Sequence, residues 1–188
     1  MRRNLIADCG LRIAESAATR PIRNPQSEIR NMIHPQTRIG HVHLTVADLD
    51  RALGFYRDVL GFEVTTRYGT DAVFLSAGGY HHHIGLNTWA GRGASPPPPG
   101  TTGLYHLAIL LPDRRALAAV VRGIIDAGIP LEGAADHGVS EAVYLRDPDG
   151  NGVELYRDRP ESEWPRAPDG QLVMYTRPLD VAALVAAQ

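Results

Sequence analysis

His41, His106 and Glu154 are the side chains of this chain best suited to hold a divalent cation. Two imidazoles and one carboxylate bind a first-row metal and leave its remaining positions open; this is the ligand set of non-haem Fe(II) oxygenases. The three are not at helical spacing, so the argument rests on where they sit. His41 lies in Ile39-Gly40-His41-Val42-His43-Leu44-Thr45-Val46, and His106 in Leu104-Tyr105-His106-Leu107-Ala108-Ile109-Leu110. Each histidine stands near the start of an apolar, strand-type run. Glu154 lies between Val153 and Leu155, where a carboxylate is costly unless it is paired or ligated. The residues alone leave a plainer reading open. A strand histidine serves as readily in a hydrogen-bonded core, and Glu154 as an edge residue or the partner of an arginine. His43 shares a strand face with His41, which makes it either a pocket residue or an alternative ligand.

The elements that must position these residues repeat. After each histidine strand comes an aspartate suited to cap a helix, Asp48 in the first case and Asp113 in the second, and then a helical pattern. Leu49, Leu53, Tyr56 and Leu60 predict a helix over residues 49–60, ended by Gly61. Leu117, Val120, Val121, Ile124 and Ile125 predict the buried face of a second helix over 114–127, ended by Gly128. Strand-like runs follow at 62–67, 72–76 and 82–88 in the first half, and at 130–132, 142–146 and 152–157 in the second. Both halves read strand–helix–strand–strand–strand. Between them, residues 91–103 carry four consecutive prolines, Pro96 to Pro99, a stiff extended linker. Each half is too small to be stable alone. The expectation is one α+β domain over residues 38–158, with halves at 39–90 and 103–158. A C-terminal extension over 159–188 follows, with a short helix over 180–187 that docks on the domain or on a partner.

Composition narrows the function classes. The 188 residues are 44% hydrophobic and 21% charged, the profile of a soluble globular protein. A net charge of -2, with no basic stripe interleaved with aromatics, gives no case for nucleic acid. No apolar run reaches membrane-span length. Cys9 is the single cysteine, which rules out intrachain disulfides and thiolate clusters and makes the cytoplasm the default compartment. Residues 1–37, rich in Arg, Ser, Asn and Pro, are expected to form a flexible extension. Met32 offers an alternative start. Asp8, Glu15 and Glu28 speak against a transit peptide.

From Ile39 to Trp164 the sequence resembles the vicinal oxygen chelate superfamily, which includes extradiol ring-cleavage dioxygenases, glyoxalase I and bleomycin- and fosfomycin-resistance proteins. The segment Asp48-Leu49-Asp50-Arg51-Ala52-Leu53-Gly54-Phe55-Tyr56-Arg57-Asp58-Val59-Leu60-Gly61-Phe62 is similar to its first-helix signature. The resemblance implies two βαβββ units curling into a cup-shaped mixed sheet, with His41, His106 and Glu154 as metal ligands. Gly79-Tyr80-His81-His82-His83-Ile84-Gly85-Leu86-Asn87-Thr88-Trp89 is similar to the extradiol segment and implies His82 as an acid–base residue. A wet turn of three histidines is the plainer alternative. His137-Gly138-Val139-Ser140-Glu141-Ala142-Val143-Tyr144, followed by Asp147-Pro148-Asp149-Gly150-Asn151-Gly152-Val153-Glu154, resembles the extradiol signature, with Ala135 as a departure. It implies that His137 and Tyr144 line the substrate pocket; an ordinary loop His and strand Tyr are the alternative. Glyoxalase I carries a fourth, carboxylate ligand near position 85, and Gly85 has no side chain to ligate with.

The nearest resemblance is to the first of the two modules of bacterial catechol 2,3-dioxygenases. It implies a metal-dependent extradiol dioxygenase acting on a catechol-like aromatic diol and O2. Fe(II) is the implied metal, with Mn(II) or Zn(II) as the other choices. A homodimer would replace contacts that a second module supplies. Two further readings are another metalloenzyme of the superfamily, of glyoxalase or thiol-transferase type, and a metal-free drug- or ligand-binding protein.

Overall fold

A computed structural model describes residues 33–186. Most of the extension expected over residues 1–37 therefore lies outside the described residues. The described residues 33–39 belong to a unit separate from the chain beginning at Gly40. In the former, Thr37 N donates to His34 O at 2.9 Å, closing a turn.

From Gly40 on, two sheets repeat one topology. The first holds β1 (Val42–Thr45), β2 (Glu63–Tyr68), β3 (Ala72–Ser76) and β4 (Ile84–Asn87) in the order β1-β4-β3-β2. The second holds β5 (His106–Leu110), β6 (Leu131–Asp136), β7 (Ser140–Arg146), β8 (Gly152–Asp158) and β9 (Arg177–Pro178) in the order β5-β8-β7-β6-β9. In each, the histidine strand runs parallel to the last strand of its own unit, and the remaining ladders are antiparallel. This is the strand–helix–strand–strand–strand repeat that the hydrophobic pattern predicts. The structure adds β9 and extends β6 over Gly133-Ala134-Ala135-Asp136, a stretch poor in strand formers that pairs along β7.

The helices follow from their caps and stripes. Asp48 accepts from Arg51 N at 2.9 Å, and Asp113 accepts from Ala116 N at 2.8 Å. The first helix, α1 (Leu49–Leu53), does not continue as a regular α-helix to residue 60. It widens over Gly54–Val59 into a π-type segment, where Leu60 N reaches back to Phe55 O at 3.0 Å. The wider turn lets the adjacent Phe55 and Tyr56 both face the core. In α2 (Arg114–Asp126), Leu117, Ala118, Val121 and Ile124 are buried, whereas Ile125, expected inside, lies at the edge of the stripe and is exposed. The terminal helix α3 (Val181–Ala186) docks on α2. Leu184 is fully buried there, which stabilises by about 2 kcal/mol, and the Arg122 guanidinium donates to Val185 O. Buried residues of both halves join one hydrophobic cluster. Among the described residues, no helix is long and apolar enough to cross a membrane.

The Asp147-Pro148-Asp149-Gly150-Asn151 turn joins the two halves. The Tyr56 hydroxyl donates to Asp147 Oδ2 at 2.9 Å, and Asp149 Oδ1 accepts from Ala47 N at 3.0 Å and from the Arg51 guanidinium. Burial, and then the Asp147 charge, push the Tyr56 pKa upward, so its hydroxyl remains a donor. Asp147 also accepts from Asp149 N, Asn151 N and Asn151 Nδ2. Asp147→Ala strands several buried donors at once and is expected to cost about 3 kcal/mol, against about 1 kcal/mol for Tyr56→Phe. Thermal unfolding checks the ranking: equal losses would mean that the turn is held elsewhere.

Candidate metal centre

The outward face of the second sheet carries a connected row of polar side chains. Register places Tyr144, Glu154 and Ala108 side by side on β7, β8 and β5. His106 stands at the start of β5, one pleat away from Ala108 on the same face. Gly152 allows this close approach, because a Cβ there would lie 2.2 Å from Tyr105 O and 2.9 Å from His106 Cβ. His106 Nε2 is 3.0 Å from Glu154 Oε2, Tyr144 OH donates to Glu154 Oε1 at 2.9 Å, and His137 Nε2 lies 2.8 Å from Tyr144 OH. Four of the six expected site residues thus form one chain of contacts. Burial, followed by the hydrogen bond to Glu154 and its charge, pushes the Tyr144 pKa upward. At neutral pH its hydroxyl keeps its proton.

His106 and Glu154 fit a divalent metal. Two donors about 2.1 Å from a cation and at right angles to each other lie about 3 Å apart. That is the spacing of His106 Nε2 and Glu154 Oε2. Glu154 is largely buried and His106 Nδ1 has no hydrogen-bond partner, so Nε2 is the anchored end of the ring. The other buried carboxylates already have partners. Glu141 is held by Arg157 at 2.9 Å and Arg114 at 3.1 Å, Asp147 by the turn described above, and Asp149 through its Oδ1 there, its Oδ2 having no partner among the described residues.

His41 and His82 form a separate cluster on the first sheet. Their rings are 4.4 Å apart, and His82 Nδ1 lies 2.7 Å from His81 Nδ1. Within one chain, and among the described residues, no three His, Cys, Asp or Glu side chains come together as a metal-holding group. The strand expected to begin at His82 begins at Ile84 instead. His83 closes the preceding turn, its N donating to Leu75 O at 2.8 Å and its Nδ1 lying 3.1 Å from Ser76 Oγ. This leaves His81 and His82 in the turn.

Sequence reading missed the aromatic surface beside this cluster. His43, Gly85 and Phe74 share one register row. The His43 ring lies over Gly85, where a Cβ would approach it to 2.9 Å, and its neighbours are Phe74 at 5.6 Å and Trp89 at 5.5 Å. Any larger residue at position 85 would evict His43. Strand alternation puts His43 on this face; its seat on Gly85 depends on cross-strand register, which no local pattern reveals.

Desolvation, and then neighbouring histidines, hold the pKa values of His82 and His43 below the ordinary imidazole value. The unfolded chain therefore binds more protons than the folded one as pH falls through about 6.5 toward the lowered folded values. Stability present above that window is lost within it. We expect Tm to fall between about pH 7.5 and 5.5, and to fall less steeply in His43→Asn/His82→Asn. An unchanged slope in that variant would assign the acid sensitivity to other groups.

Known proteins share this sequence pattern and fold. The profile of the Glyoxalase/Bleomycin resistance protein/Dioxygenase superfamily matches residues 38–155. A catechol-2,3-dioxygenase of Bacillus subtilis is 44% identical over 81% of this chain and 53% of its own length. Biphenyl-2,3-diol 1,2-dioxygenase 3 of Rhodococcus globerulus is 36% identical over 64% of this chain and 63% of its own. The chain thus spans between half and two thirds of these relatives. Among solved structures, a glyoxalase/dioxygenase from Nostoc punctiforme shares the fold with a TM-score of 0.56 at 22% identity, over 71% of this chain and all of the other.

Proposed function

The chain belongs to the glyoxalase/bleomycin resistance protein/dioxygenase superfamily, and from that premise we propose that it is a metal-dependent extradiol dioxygenase that opens the ring of a catechol-like aromatic diol with O2. The observation that carries this reading is the contact chain His106–Glu154–Tyr144–His137, with two donors at metal-chelating spacing and a protonated hydroxyl beside them. The names of the two dioxygenase relatives support the substrate class. Fe(II) is the first choice of metal, with Mn(II) or Zn(II) as alternatives, since one N/O site accepts several divalent ions. When bound, the metal would supply Lewis acidity toward the diol oxygens and redox contact with O2.

The chain's own residues do the rest. His106 and Glu154 hold the cation. Tyr144, kept protonated, donates to a diol oxygen. His137 orients that hydroxyl. His82, with its pKa held down, is neutral at pH 7 and accepts a proton. The aromatic surface of Phe74, His43 and Trp89 takes the flat face of the ring. His41 is the third ligand, and because it sits with His82 we assign it to the site of a second copy in a homodimer. Two features support that assignment. Among the described residues, β1 and β5 each pair on one side only, and Tyr105, Leu104 and Trp89 are exposed near them. With Cys9 as the single cysteine, the cytoplasm is the proposed compartment.

The test is anaerobic loading with Fe(II), followed by O2 and catechol. The expected result is oxygen uptake with a yellow ring-opened product, absent in His106→Ala. No uptake with any vicinal diol tested would refute the reading. Activity on another substrate that survives strict anaerobiosis would favour a glyoxalase-type enzyme. Ligand binding indifferent to His41→Ala would favour a metal-free binding protein.

A further inference from the structure

The segment after β8 lies beyond the family match at residues 38–155, yet it reaches the candidate site. β9 pairs with β6, matching Ala135 with Pro178 and Asp136 with Arg177. Just before β9, Tyr175 N donates to His137 O at 3.3 Å, and Tyr175 O lies 3.0 Å from His137 Nδ1. The Arg177 guanidinium stacks over the Tyr175 ring at 4.2 Å. Val173 N donates to Pro165 O at 2.9 Å, folding the segment back on itself. The Tyr175 ring and Pro165 press on Gly138, where a Cβ would lie 2.7 Å from Tyr175 Cε1 and 2.9 Å from Pro165 Cγ, and where φ is +78°. Glycine is needed there for its conformation and for its lack of a side chain.

We propose that residues 165–178 form a strap that sets the tautomer of His137, holding the ring proton on Nδ1 and leaving Nε2 as an acceptor toward Tyr144. A carbonyl oxygen can only accept, so the contact between Tyr175 O and Nδ1 requires the proton on Nδ1. Thr176 Oγ1, 3.4 Å from the same nitrogen, is the other polar atom facing it. A neutral imidazole carries one proton, so the nitrogen bonded by one partner decides the role of the other. Nε2 therefore offers a lone pair to the Tyr144 hydroxyl, whose single proton is donated to Glu154 Oε1 here and has His137 Nε2, 2.8 Å away, as its alternative acceptor. When the Glu154 carboxylate is engaged by a cation, the hydroxyl still has an acceptor in His137. With the proton on Nε2 instead, His137 would donate to the Tyr144 oxygen and offer its hydroxyl no acceptor, leaving that proton no alternative to Glu154 before a diol oxygen takes it. Tyr175 is thus a positioning residue that acts through its backbone. The inference rests on the proposed role of Tyr144 and adds to it a part of the chain that the family match does not include.

The experiment uses full-length, metal-free protein labelled with 15N-histidine, its His137 signals identified by their loss in His137→Gln. At about pH 8 the expected ring is protonated on Nδ1 and unprotonated on Nε2. A wild-type ring protonated on Nε2, or on both nitrogens, overturns the proposal. Gly138→Ala drives a Cβ into Tyr175 and should reduce the Nδ1-protonated population by about twofold or more. Tyr175→Ala removes the ring seated on Gly138 and should shift it the same way without backbone strain, which preserves the test if Gly138→Ala does not fold. Ile84→Val, a loss of packing in the first sheet, should lower Tm and leave the tautomer unmoved. A tautomer that stays fixed in the folded strap variants, or that moves equally in Ile84→Val, also overturns it. No metal, O2 or diol is involved, so this result and the ring-cleavage result fail independently.

Discussion

Glu154→Gln is expected to weaken divalent-metal binding on the order of 10³-fold, about 4 kcal/mol, and to abolish ring cleavage while the fold persists. The substitution is nearly isosteric and removes one negative charge from a largely buried position. An amide oxygen can still accept from the Tyr144 hydroxyl, so the β7–β8 contact remains and Tm should change by less than about 1 kcal/mol equivalent. The loss then falls on the cation, which exchanges a charged donor for a neutral one beside His106 Nε2. Metal content after loading, read together with thermal unfolding, measures both parts. Retention of metal affinity within about tenfold of wild type would remove Glu154 from the ligand set. Tyr144→Phe gives the contrast: metal affinity unchanged, and kcat reduced on the order of 10²-fold, because a proton donor is lost and no ligand is.

In the second sheet's half of this site, the placing of His106 and Glu154 in strands was legible from short-range pattern, while the pocket roles of Tyr144 and His137 came only from the family resemblance. His106, Tyr144 and Glu154 sit in strands whose alternation sends them to one face, and the Asp147-Pro148-Asp149-Gly150-Asn151 turn brings β7 beside β8. Asp48 and Asp113 read as caps because capping is local chemistry. What stayed hidden depends on partners distant in sequence. β9 is an Arg-Pro pair, poor strand material by itself, and pairs with β6 some forty residues earlier. The extension of β6 over Gly133–Asp136 likewise comes from its partner and not from propensity. The Phe55–Tyr56 widening of the first helix has no local mark either, since an α-helical pattern fits the same residues. The separation of His41 from Glu154 is a matter of how modules associate, which strand periodicity does not encode.

That separation leads to the second large prediction. His41→Ala and Glu154→Gln, each inactive alone, should regain about a quarter of wild-type activity when co-refolded in equal amounts. Suppose each site takes His41 from one copy and His106 with Glu154 from the other. Random pairing then makes half of the dimers mixed, and each mixed dimer holds one site with every ligand intact and one lacking both. If instead each site is built from a single chain, every site in every dimer carries a lesion and nothing is regained. The physical case for sharing lies at the outer strands. β1 and β5 each leave a row of backbone donors and acceptors unpaired among the described residues, a liability that proteins cover or pair. His41 immediately precedes β1 and His106 begins β5, so a junction of β1 from one copy with β5 from the other brings two imidazoles from matching positions to one seam. Exposed Tyr105 and Leu104 would supply apolar area toward the roughly 1,000 Å² that a specific interface needs. Sedimentation establishes that the mixture is dimeric, and oxygen uptake measures recovery. A dimeric mixture that remains inactive would return His41 to the site of its own chain.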